Sequence, residues 1–157
     1  MQVRTDMIVC HIVRPAQNPG EHEFLQLRRS AGDYLGGTWQ TVRGRIEGAE
    51  TAWQAALREL REECNLIPAE FYKLSTLENF YLAHEEAIWH VPCFCVLVGR
   101  DQEVKLNGEH DAYRWVPRDK ITDAVMWPGE REALKEIFRE ILGNGLSKPF
   151  LRLTMME

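Results

Sequence analysis

The sequence predicts an α/β protein in which a mixed β-sheet is held between helices, and three patterns carry that prediction. Runs rich in β-branched and aromatic residues outnumber helical patterns, two segments carry apolar residues at three- and four-residue steps, and no linker, repeat or low-complexity tract divides the chain. With 157 residues, 45% hydrophobic and 27% charged, the chain can bury one sizeable core, so a single domain over residues 1–157 is expected.

Met7 to Val13 is mostly apolar and β-branched, and Glu23 to Arg29 sets Phe24, Leu25 and Leu27 among polar neighbours, so both read as strands. Pro15, Asn18, Pro19 and Gly20 mark the turn between them. Ser30 to Gly37 reads as a loop that feeds a short extended piece, Trp39 to Val42, and Gly44 and Gly48 punctuate a second loop. From Ala49 to Cys64 the period becomes helical, with Trp53, Ala56, Leu57, Leu60 and Cys64 on one side. Phe71 to Leu82 and Ala87 to Val98 read as two long strands joined by a charged turn at His84, Glu85 and Glu86. Lys105 to Asp111 is a polar loop, and Tyr113 to Val116 a short strand closed by Pro117. A second helix opens at Pro128-Gly-Glu130, carries Ala133, Leu134, Ile137, Phe138 and Ile141, and stops at Gly143-Asn144-Gly145.

Nineteen basic against 24 acidic residues give a net charge of −5, which argues against a protein that blankets nucleic acid with positive charge but leaves room for a local phosphate pocket. No apolar run approaches the roughly 18 residues of a membrane span. The start lacks the basic-then-apolar layout of a secretory signal, so a cytoplasmic location without membrane association is expected. Cys10, Cys64, Cys93 and Cys95 show neither a CxxC pair nor zinc-finger spacing and read as reduced packing residues. The sequence is compatible with a homodimer and does not specify one.

The chemistry concentrates in Gly44 to Leu66. With Leu60 as zero on a helical wheel, the apolar residues span about −40° to +60°, while Glu63, Glu59 and Glu62 fall at about −60°, −100° and −160°. Three carboxylates therefore crowd one edge of a buried stripe, where their repulsion opposes folding unless a cation compensates. An all-oxygen cluster suits hard ions, Mg²⁺ or Mn²⁺, which also bridge phosphates. Arg58 and Glu62 are one turn apart, so the arginine is placed to orient a carboxylate. A solvated face balanced by Arg58 and Arg61 is the plainer account of such a helix. What outweighs it is Gly44, six residues before Glu50, where a close backbone approach lets a main-chain carbonyl join the carboxylates.

This run resembles the Nudix box: Gly44, five positions, Glu50, seven positions, Arg58-Glu59, an aliphatic, any residue, Glu62-Glu63, any residue, then Gly and an aliphatic. The one departure is Asn65 where the family has Gly, a mild change at a site that favours a left-handed backbone. The order of elements resembles the same family over nearly the whole chain, which implies an α/β/α sandwich with a mixed sheet between helices. The resemblance implies Gly44 (through its carbonyl), Glu59, Glu62 and Glu63 as metal ligands. It makes Glu59 or Glu63 the base for an attacking water, and Glu50 and Arg58 supports of the loop and helix. It also implies Mg²⁺- or Mn²⁺-dependent hydrolysis of a pyrophosphate bond in a nucleotide.

The box leaves the substrate open. Gly108 to Val116, with Trp39-Gln40, resembles a feature shared by Nudix hydrolases of dihydroneopterin triphosphate and dATP and by asymmetric diadenosine tetraphosphate hydrolases. By that resemblance Glu109 is a remote carboxylate completing the metal site. Arg28 and Arg43 are the nearest cations in sequence for a polyphosphate, with Arg4 weaker. Tyr113 and Trp115 share a strand face and read first as core, second as a stacking platform. Two alternatives stand beside hydrolysis of a nucleoside triphosphate or dinucleoside polyphosphate: a non-catalytic Nudix-fold nucleotide-binding module, and an RNA 5′-end pyrophosphohydrolase, which the acidic charge disfavours.

Overall fold

The structure, a computed structural model, describes residues 1–154, so positions 155–157 of the expected domain lie outside the described residues. Among the described residues one mixed sheet contains β1 (Gln2–Arg4), β2 (Met7–Pro15), β3 (His22–Arg29), β4 (Trp39–Gln40), β5 (Val42–Arg45), β6 (Glu70–Leu82), β7 (Ala87–Leu97) and β8 (His110–Pro117). Four α-helices accompany it: α1 (Ala52–Cys64), α2 (Arg118–Ala124), α3 (Pro128–Glu136) and α4 (Lys148–Leu151).

Strand β2 runs parallel to β7 and antiparallel to β3 and β5. Because β2 and β7 are covered on both faces, they are nearly continuous apolar runs instead of alternating ones. Successive side chains of β2 divide between two cores. Ile8, Cys10 and Ile12 pack with Leu60, Phe71 and Phe94 under α1, whereas Val9 and Val13 pack with Trp89, Leu134 and Ile137 on the opposite face. The expected α/β/α sandwich is therefore the architecture found.

Several boundaries differ from expectation for local reasons. Helix α1 starts at Ala52 and not at Ala49, because Thr51 and Gln54 cap each other reciprocally: each side chain accepts the other's backbone N–H. The helix ends on Asn65 in the left-handed conformation at φ 55°, as its position after the helix predicts. The piece around Trp39 is two strands broken at Thr41, whose hydroxyl donates to the Cys10 carbonyl at 2.8 Å, and β5 carries extended backbone through Gly44. Strand β8 begins at His110 and not Tyr113. The second predicted helix changes to π-helical geometry over Ile137–Leu142 before Gly143. Strand β1 is three residues long, α2 buries only Ile121 and α4 spans four residues, so none of them leaves a periodic signature.

Candidate active site

The buried face of α1 is turned toward the carboxylates relative to the apolar stripe. Glu59 and Glu63 are 8% and 1% exposed, while Trp53 and Leu57 are only partly buried. Gly44 permits this rotation: it sits opposite Ile8 on the α1 face of the sheet, and a Cβ there would collide with the Glu59 carboxylate. The missing side chain lets the strand backbone and the acid share one space.

Arg58 organises the acids around it. Its Nε and Nη2 donate to the two oxygens of Glu50 at 2.7 and 3.0 Å, Nη1 donates to Glu59 at 2.8 Å and Glu62 at 3.2 Å, and Nη2 also reaches the Arg45 carbonyl at 2.8 Å. The bond to Glu50 raises the guanidinium's already high pKa, so it stays charged. One planar fork thus ties the loop before α1 to two carboxylates of the box. Glu62 is exposed, whereas Glu63 points inward.

The remote segment arrives through sheet pairing. Ser30 at the end of β3 donates its N–H to the Glu109 carbonyl at 3.0 Å and its hydroxyl to the Gly108 carbonyl at 2.9 Å, and Arg29 pairs with His110. This brings one carboxylate oxygen each of Glu63 and Glu109 and a ring nitrogen of His110 within 4.8 Å of one another. Nothing in the sequence pattern singles out His110. The one signal is that the strand expected at Tyr113 extends three residues further toward the N-terminus.

The electrostatics would suit a bound cation. Burial, then the Glu59 and Glu109 charges, push the Glu63 carboxyl up to about 9, and one of its oxygens is buried without a hydrogen-bond partner. Burial also raises Glu59, although Arg58 opposes the shift. An orphaned buried carboxylate oxygen, a second buried acid and a glycine cradle fit a hard divalent cation, which would repay the desolvation and the mutual repulsion together.

The arginines expected to meet phosphate are each paired with an acid. Arg43 lies opposite Val9, on the face of the sheet away from α1, and its guanidinium is paired with buried Glu78 at 2.8 Å. Sequence adjacency to Gly44 misleads here because neighbouring residues of a strand point to opposite faces. Arg28 lies on that same far face, 42% exposed, and pairs with Asp111 at 2.7 Å. Arg4 pairs with Asp6 at 2.7 Å. Of the two aromatic residues read as core, Trp115 packs against the α1-side core, but Tyr113 is 43% exposed. His84 is exposed at the hairpin tip, 6.1 Å from the ring of Tyr34.

The sequence does not reveal the polar group beneath α3. His11, Gln26, Thr41 and Glu130 line a cavity of about 10 Å³, room for one water. Burial lowers His11 to about 3, with Arg43 adding to the shift, and raises Glu130.

Comparison with known proteins bears on the family and the fold. The model of the NUDIX domain matches residues 6–137. A Sus scrofa protein named bis(5′-nucleosyl)-tetraphosphatase [asymmetrical] is 30% identical over 119 residues, covering 73% of this chain and 77% of that protein. A Myxococcus xanthus octanoyltransferase is 37% identical over 103 residues, 64% of this chain, and the chain spans only 28% of that protein. The structure of a C. elegans Ap4A hydrolase binary complex superposes with a TM-score of 0.72 at 21% identity, covering 91% of this chain and 99% of that one. Among the described residues no helix is long and apolar enough to cross a membrane.

Proposed function

The chain belongs to the NUDIX family of pyrophosphate-cleaving enzymes, and from that premise we propose that it hydrolyses a phosphoanhydride bond of a nucleoside polyphosphate, using Mg²⁺ or Mn²⁺ held by Glu59, Glu62, Glu63, Glu109 and the Gly44 carbonyl. The burial of Glu59 and Glu63 beside Glu109 carries this assignment, since three crowded acids without a cation work against the fold.

When bound, a divalent cation supplies Lewis acidity, acidifying a nearby water and offsetting phosphate charge. The chain's own residues do the rest. Arg58 fixes the rotamers of Glu50, Glu59 and Glu62, so that the acids are oriented before substrate arrives. Glu59 or Glu63 accepts the proton of the attacking water, whose oxygen bonds to phosphorus while the bridging P–O bond breaks and the leaving phosphate takes the electron pair. No covalent enzyme intermediate is required. Arg28, partly exposed and paired with Asp111 two residues along the chain from Glu109, is the cation we assign to the polyphosphate, and Arg43 is assigned instead to holding β5 through Glu78.

The name of the Sus scrofa relative favours a dinucleoside polyphosphate over a nucleoside triphosphate, whereas the segment Gly108 to Val116 fits either class. We place the activity in one domain spanning 1–157 and in the cytoplasm, a setting that suits four buried free thiols. The test is a panel of diadenosine polyphosphates, nucleoside triphosphates, ADP-ribose and nucleotide sugars, incubated with and without Mg²⁺ or Mn²⁺ and read by product identity. Cation-dependent cleavage of a diadenosine polyphosphate is expected. Binding without cleavage of any member would overturn the assignment.

A further inference from the structure

We propose that His110 lends a ring nitrogen to the cation shared by Glu63 and Glu109, making a mixed nitrogen and oxygen site that favours transition ions such as Mn²⁺ and Co²⁺ over Mg²⁺. This rests on the cation-dependent reading above and adds to it a ligand of different chemistry.

His110 is 6% exposed, and its Nδ1 is buried with no hydrogen-bond partner among the described residues. A buried polar atom left unpaired costs about 1–3 kcal/mol, so a position that keeps one invites a ligand. An oxygen of Glu63 is in the same state, and the three candidate donor atoms from Glu63, Glu109 and His110 lie within 4.8 Å of one another. Donors about 2.1 Å from one ion stand roughly 3 Å apart in cis and 4.2 Å in trans, so side-chain rotations that draw these atoms together complete the site.

The backbone is set for this. Glu109 and His110 are anchored to the end of β3 by Ser30 and by pairing with Arg29, so the imidazole enters the site from a rigid strand and not from a mobile loop. Imidazole is a softer donor than carboxylate and shifts preference away from Mg²⁺ and toward first-row transition ions.

Pulsed electron paramagnetic resonance on the full chain with Mn²⁺ alone tests the idea. The native protein is expected to show nitrogen modulation from a coordinated imidazole, and ¹⁵N-labelled histidine is expected to change its frequency, a readout that needs no substitution. In His110→Gln the modulation disappears, Mn²⁺ and Co²⁺ affinity falls by about tenfold or more, and Mg²⁺ affinity changes less. In His90→Gln the modulation persists, because His90 bonds to Asn79 instead. Bound Mn²⁺ without nitrogen modulation would overturn the His110 assignment while leaving the hydrolase reading intact. No Mn²⁺ uptake by the native protein would overturn both.

Discussion

The backbone of Gly44 and the side chain of Glu59 occupy adjoining space that leaves no room for a Cβ between them. Gly44→Ala is therefore expected to displace the Glu59 carboxylate and with it the bond from Arg58. Misplacement of a reacting group by about 1 Å costs on the order of a hundredfold in rate, and that is the loss expected in kcat with the circular dichroism spectrum retained. A parent-like rate would show that the close approach is only packing.

Arg58 serves four acceptors at once, which a lysine cannot do because its ammonium lacks the planar fork. Arg58→Lys is expected to cost about 1–3 kcal/mol in urea unfolding and to weaken cation binding measured by calorimetry. Stability falling without any change in cation affinity would separate its packing role from orientation of the acids.

What the sequence discloses about this site follows the range over which each constraint acts. The spacing from Gly44 to Glu63 is legible because a helix period is local and rigid, and the same holds for the Asn65 cap. The rotation of α1 is not legible: an apolar stripe assigns burial by hydrophobicity, whereas Gly44 supplies the space that buries Glu59. Glu109 lies far from α1 in sequence, and only its anchoring at the end of β3 brings it to Glu63, so family resemblance points to it where spacing cannot. His110 was hidden because a strand whose side chains alternate between exposed and buried can read as a polar loop at its first residues. Arg43 shows the converse limit, since residues adjacent along a strand point their side chains to opposite faces of the sheet.

The ion pair of Arg43 and Glu78 is buried, with a contact of 2.8 Å, and lies near Glu130. Removing one partner leaves the other charge stranded. Glu78→Ala is expected to destabilise the fold by about 3–5 kcal/mol, while the double replacement Glu78→Ala with Arg43→Met recovers a large part of that loss. A double-mutant cycle by chemical denaturation measures the coupling, and additive losses would show that the pair is not linked in this way.

Glu63 ties stability to pH and to cations. Its carboxyl is raised from an ordinary 4.5 to about 9, chiefly by burial. Between those values the folded chain binds more protons at this site than the unfolded chain, so its contribution to stability falls as pH rises through the window. The native protein without divalent ions is thus expected to melt at a lower temperature at pH 8.5 than at pH 6, with added Mn²⁺ reversing much of the loss. Glu63→Gln removes both the slope and the stranded charge. It is expected to gain about 1–3 kcal/mol at pH 8.5 without cations, to lose the response to Mn²⁺, and to lose most turnover. The variant's melting temperature, followed from pH 5 to 9 with and without Mn²⁺, decides the matter: a slope as steep as the parent's would place the titration on another group.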